Sequence, residues 1–168
     1  MKRMSSAPQV EALLPVTLQP GNVLYAPGVR AGRWVFATGH KGTDGFGGGM
    51  APELLDPLAP RHGAPRHKKE AQRIFANFAR VLEGGGTDRA SVVRVDQYYT
   101  GARVVDPYHE VRREFFAGHI PPSTSNLHQR FLLAGQDMEV QLIAAVPAKG
   151  FQPVQHRPAN LPVHATSG

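Results

Sequence analysis

The chain has no cysteine. Disulfides, thiolate catalysis and cysteine-based zinc sites are therefore excluded. Long apolar runs are also missing. The first candidate, Val10 to Val16, is broken by Glu11 and Pro15, so neither a signal peptide nor a membrane-spanning segment is expected. There are no tandem repeats, and no basic–aromatic interleaving of the kind that stacks bases. The formal charge of +6 permits acidic partners but does not require them, because the basic residues and the histidines are scattered. His62 and His67, five apart across Pro65, have no diagnostic metal-ligand spacing.

At 168 residues the chain is read as one domain with extra sequence, long enough to bury a core without staples. Residues 1–22 read as a loose polar arm, with one short edge strand at Pro15–Leu18. Residues 23–147 form the domain, and the Pro-rich, aperiodic residues 148–168 form a second arm. Within the domain, residues 41–66 are dense in Gly and Pro, have no sustained period, and read as an inserted loop that is either mobile or functional.

The remaining pattern is regular. Trp34, Phe36 and Thr38 alternate with Val35, Ala37 and Gly39, which predicts a strand, with Gly28 and Gly32 suggesting a hairpin at its entry. Ala71, Ile74, Phe75, Phe78, Val81 and Leu82 fall on one helical stripe, which Gly84–Gly86 stop. Burying these large side chains contributes about 2 kcal/mol each before entropy, so this helix must lie on a flat apolar surface. Its basic start, His67 to Lys69, reads as a solvated first turn or an anion patch. Ser91 to Thr100 is a Val- and Tyr-rich strand. Asp106 and Pro107 are expected as N-cap and first-turn proline of a second helix with buried Tyr108, Val111 and Phe115.

Pro122 to Val146 reads as two strands joined by a short Gly-containing turn. Met138, Val140, Leu142 and Ala144 face one way; Glu139, Gln141, Ile143 and Ala145 face the other. Ile143 to Val146 is expected to be buried on both sides. Thr124, Asn126, His128 and Arg130 share one parity of the first strand, so they are solvated or line a site. Arg130 would lie about 20 Å beyond Thr124 and serve a different part of it. The predicted order is β-β-α-β-α-β-β, one sheet with both helices on one face.

This series resembles the RidA (YjgF) family of imine and enamine deaminases. The resemblance runs from about Tyr25 to Val146, through YAPGVRAGRWVFATG, EAQRIFANFARVLEGGGTD, VVRVDQYYT, PYHEVRREFF and EVQLIAAV. It implies an α+β, chorismate-mutase-like fold and a cytoplasmic homotrimer with clefts between subunits. It further implies small carboxylate- or carbonyl-bearing substrates, with no metal or organic cofactor. Membrane and nucleic acid are not expected as partners.

The resemblance also shows departures. The Arg of the family's Pro-x-Arg-Ser/Thr pattern, which binds the substrate carboxylate, is matched by Thr124, and a hydroxyl does not replace a cation. The family's water-positioning acid is matched by Gln141, its helical Asn by His109, and the Gln after its Ser-Gly pair by His40. Tyr25 is kept, and Thr38 stands for the Ser. The expected catalytic residues are His109, His40 and Tyr25. Thr38, Gly39, Thr124, Asn126, His128 and Gln141 are expected to bind substrate, with the Gly39 amide available to an oxyanion. The expected function is hydrolytic deamination or tautomerisation of an imine, enamine or related compound. The alternatives are a non-catalytic ligand-binding or accessory protein and an RNA-binding, endoribonuclease-like protein.

Overall fold

The computed structural model describes residues 9–58, 64–119 and 121–150. The strands are β1 (Val10–Leu13), β2 (Val16–Leu18), β3 (Val23–Tyr25), β4 (Gly28–Ala31), β5 (Trp34–His40), β6 (Val92–Tyr99), β7 (Ser123–Leu127) and β8 (Met138–Ala145). The helices are α1 (Pro52–Leu55), α2 (Arg66–Gly84) and α3 (Val105–Phe116). Six strands form one sheet in the order β1-β4-β5-β8-β6-β7, and β2 and β3 pair separately.

The α2 stripe is buried as its spacing requires: Ala71, Ile74, Phe75, Phe78, Val81 and Leu82 all lie in the core. They pack on one face of the sheet, presented by Val35, Val95, Tyr99, Met138, Val140, Leu142 and Ala144. On the same side α3 adds Tyr108, Val111 and Phe116, and the Phe75 ring meets those of Tyr108, Phe115 and Phe116. One α+β sheet with its main helices on one face is thus the architecture.

Several local expectations change. β7 and β8 are not a hairpin. β7 pairs parallel to β6 at the sheet edge, whereas β8 runs antiparallel between β5 and β6. The reason is α3, which carries the chain back along β6 so that it re-enters in the same direction. The chain then crosses the end of β6, and this crossing is tied down by a buried carboxylate. Glu70 accepts from the Asp137 and Met138 amides and from Arg66, while Arg66 also bonds Asp137 and the Gly135 carbonyl. Glu70 is fully buried, and desolvation raises its pKa to about 7 against the pull of these donors.

The strand β7 ends at Leu127, so His128 and Arg130 follow it rather than extend it. Ile143 and Ala145 are only half-buried, so the end of β8 is covered on one face. Asp106 is not an N-cap: a 3-10 turn at Ala102–Val104 runs directly into α3, leaving Asp106 in the first turn, where its charge still suits the dipole. The basic start of α2 is neither solvated nor an open anion patch. Lys68 pairs with Glu110 and Glu114 on α3, and His67 with Asp137.

Part of the region read as a loose arm is structured, because β1 pairs with β4 and β2 with β3. The Gly/Pro-rich segment also packs. Thr43 bridges to Met50, and Phe46, Met50, Ala51 and Leu54 are buried. Residues 1–8, 59–63 and 151–168, including most of the C-terminal arm, lie outside the described residues.

Candidate functional site

Alternation gives the sheet a second face, on which no helix packs among the described residues. Register places Arg94 beside Ile143, Asp96 beside Gln141 and Tyr98 beside Glu139, with Thr124 and Asn126 of β7 beside Asp96 and Tyr98. One end of this face is apolar, with Trp34 and Phe36 partly exposed next to Ala145 and Ile143. The other end is a polar band running from β5 to β7.

At the β5 end of the band the pairing slips. Ala37 opposes Leu142 but His40 opposes Val140, so Thr38 and Gly39 form a bulge. The extra residue reverses parity. By strict alternation His40 would share the open face with Trp34, Phe36 and Thr38; the bulge turns it into the core instead. There its ring meets Phe78 and Phe46 edge-on, and Nε2 donates to the Pro27 carbonyl at 3.1 Å. Desolvation, reinforced by the charge of Lys41 and opposed by the Pro27 hydrogen bond, lowers the His40 pKa to about 4. His40 is therefore neutral at physiological pH.

The bulge also brings the site together. Tyr25 Oη and Thr38 Oγ1 are 2.7 Å apart. Gly39 is required by close approach: a Cβ there would overlap the Glu139 carboxylate. Gln136 Nε2 donates to Glu139 Oε2 at 3.0 Å and holds the carboxylate over the Gly39 backbone. Beside this group is a cleft of about 120 Å³, lined by Leu18, Tyr25, Gly39, His40, Lys41, Thr43, Phe46, Gly47, Gly48, Leu132 and Leu133.

The other expected residues are placed differently. Gln141 is engaged within the face, donating to Tyr98 Oη at 3.1 Å and Asp96 Oδ2 at 3.4 Å, while Arg94 Nε holds Asp96 at 2.9 Å. Thr124 lines a shallow depression with Val93, Arg94, Pro122 and Ser123, and Asn126 is exposed. The His128 ring lies edge-on to Tyr98 and stacks on Phe131. His109 sits on α3, on the helix side of the sheet. Its ring is against Tyr108 and its pKa is lowered by burial and by Arg112 and Arg113. It does not line the cleft.

Three strand spacings separate β5 from β7, about 14 Å. Within one chain, Tyr25, Thr38, Gly39 and His40 thus cluster with Glu139, while Thr124, Asn126 and His128 form a separate group. Sequence reasoning missed Glu139, Gln136 and Lys41. Glu139 carried a signal, as the acidic neighbour of Gln141 on the polar parity of β8. Among the described residues, no group of three or more His, Asp or Glu could hold a metal ion, and no helix is long and apolar enough to cross a membrane.

Solved structures share this fold. A probable translation initiation inhibitor from Rhodopseudomonas palustris is 24% identical, with 83% of this chain and 100% of that one covered and a TM-score of 0.65. A protein of unknown function from Pseudomonas aeruginosa is 18% identical, covering 83% and 94%, with a TM-score of 0.66. Yeast Mmf1 is 16% identical, covering 82% and 98%, with a TM-score of 0.60. No curated protein matches the chain. The family model described as Endoribonuclease L-PSP matches residues 19–146, and with the sheet and helix order above it settles the assignment: the chain belongs to the L-PSP family, that is, the YjgF/RidA family.

Proposed function

We propose that the protein hydrolyses an imine or enamine of a small carboxylate- or carbonyl-bearing molecule, with the reacting carbon held over Gly39. The observation that carries this reading is the Glu139 carboxylate, fixed by Gln136 over the Gly39 backbone beside the Tyr25–Thr38 hydroxyl pair. Glu139 accepts a proton from water as the water oxygen adds to the C=N carbon, and returns it to the nitrogen to give the carbinolamine. Glu139 then takes the hydroxyl proton and passes it to the amine as the C–N bond breaks, which leaves a carbonyl, ammonia and the regenerated carboxylate. Tyr25 and Thr38 orient the substrate through their shared hydrogen bond. Water activation therefore rests on Glu139 rather than on His40, which is buried and neutral, or on His109, which lies outside the cleft.

The cytoplasm is the proposed location. A homotrimer is the proposed assembly. The roughly 14 Å between Thr38 on β5 and Thr124 on β7 is too far for one small ligand to span within a chain. A second copy laid on the open face would cover Trp34 and Phe36 and bring a β7 edge against a neighbour's cleft.

A second reading has one observation in its favour: Thr124, where the family pattern has a cation, leaves the β7 edge without an anion-binding guanidinium. A protein that binds ligands without turnover would fit it. A coupled assay separates the two. An amino-acid oxidase generates imines in situ, and semicarbazone formation is followed with and without the protein. Faster imine loss with the wild type, abolished in Tyr25→Phe, is expected. Saturable ligand binding with no change in imine lifetime would support the second reading instead.

A further inference from the structure

Lys41 follows the last residue of β5 and lines the cleft beside Tyr25 and Gly39. It is half-buried. Among the described residues no carboxylate pairs with its ammonium. Among the described residues it is also the only charged side chain lining the cleft, since His40 is neutral and the remaining side chains are Leu18, Tyr25, Thr43, Phe46, Leu132 and Leu133.

The β7 edge offers a poorer anion site. Thr124 carries no charge, and the nearby Arg94 guanidinium is engaged by Asp96. An ammonium without a carboxylate partner is free to pair with an anion supplied by a ligand. A ligand carboxylate on Lys41 would place the adjacent carbon toward Gly39 and Glu139, with a short side chain against Leu132 and Leu133.

We propose that Lys41 binds the substrate carboxylate, so that anion recognition in this chain is made at the end of β5. This rests on the catalytic reading above for the imine and on the cleft alone for the anion.

The test is binding without turnover. Pyruvate, the simplest keto-acid product, and its neutral counterpart methyl pyruvate are titrated into the full-length protein and followed by NMR. The same titrations are run on Lys41→Gln, Lys41→Arg and Arg94→Gln. Pyruvate binding is expected to weaken about tenfold or more in Lys41→Gln, as for loss of a charge-assisted contact, and to return within a few-fold in Lys41→Arg. Methyl pyruvate binding and the Arg94→Gln titration should be unchanged. Equal pyruvate binding by wild type and Lys41→Gln, a larger loss in Arg94→Gln, or no pyruvate binding by the wild type would each overturn the proposal. Lys41-dependent binding in a protein that hydrolyses no imine would leave Lys41 standing and remove the catalytic reading. Imine hydrolysis with Lys41-independent binding would do the reverse.

Discussion

The two faces of the sheet are built from the same strands with opposite demands. On β8, Met138, Val140, Leu142 and Ala144 are buried under α2 and α3, while Glu139, Gln141, Ile143 and Ala145 remain half-exposed. The covered face is fixed by volume: most positions are apolar side chains at close packing, and the buried Gln97 accepts from Tyr108. The open face is divided into an apolar end and a polar band, and its chemistry depends on one bulge and one glycine. One face holds the fold, and the other leaves room for a ligand and for another copy of the chain.

The largest effect should come from the covered face. Phe78→Ala removes a fully buried ring and should cost about 3–5 kcal/mol in urea unfolding, with any activity lost only in proportion to unfolded protein. On the open face, Phe36→Asp should shift the mass measured by light scattering to that of a single chain and lower the unfolding midpoint only by the lost association. An unchanged oligomer would mean that the apolar end of this face is not the interface.

The buried Glu70 gives a pH-dependent contrast. Its folded pKa, about 7, is above that of an exposed carboxylate, so the folded state binds more protons than the unfolded state between about pH 4.5 and 7. Its contribution to stability therefore falls as pH rises through that window. Glu70→Gln, which keeps a carbonyl to accept from Asp137 and Met138, should flatten the decline in urea midpoints measured from pH 5 to 8. The smallest effect is expected at the β7 edge. Thr124→Arg should change pyruvate affinity less than Lys41→Gln does, and a larger gain from the arginine would return anion binding to that edge.

The covered face was largely legible in the sequence because its signals are local. The six-residue stripe of α2 and the alternation of β5 and β8 each specify an element and its buried side, and Val and Tyr content marks β6 as a strand. Strand pairing was not legible. Gly135 reads as a hairpin turn, yet its positive φ of 77° belongs to a crossing that ends on Glu70 and Arg66, far away in sequence. His40 was expected as a catalytic residue from the resemblance, and nothing in TGHKG announces the extra residue that turns it into the core. Lys68 read as a solvated or anion-binding cation because its partners lie on another helix. Of the candidate site, Tyr25 and Thr38 were named from the family resemblance, and they lie within hydrogen-bonding distance of each other. Glu139 was passed over for Gln141, since only the bulge shows which of the two reaches Gly39.

The choice between those two β8 residues is the most direct test. Initial rates of imine hydrolysis would be compared for wild type, Glu139→Gln and Gln141→Ala, each checked for an unchanged circular dichroism spectrum. The account predicts a loss of about 100-fold or more in Glu139→Gln and a change of only a few-fold in Gln141→Ala. A Glu139→Gln protein that retains full activity, or a Gln141→Ala protein that loses it, would contradict the account.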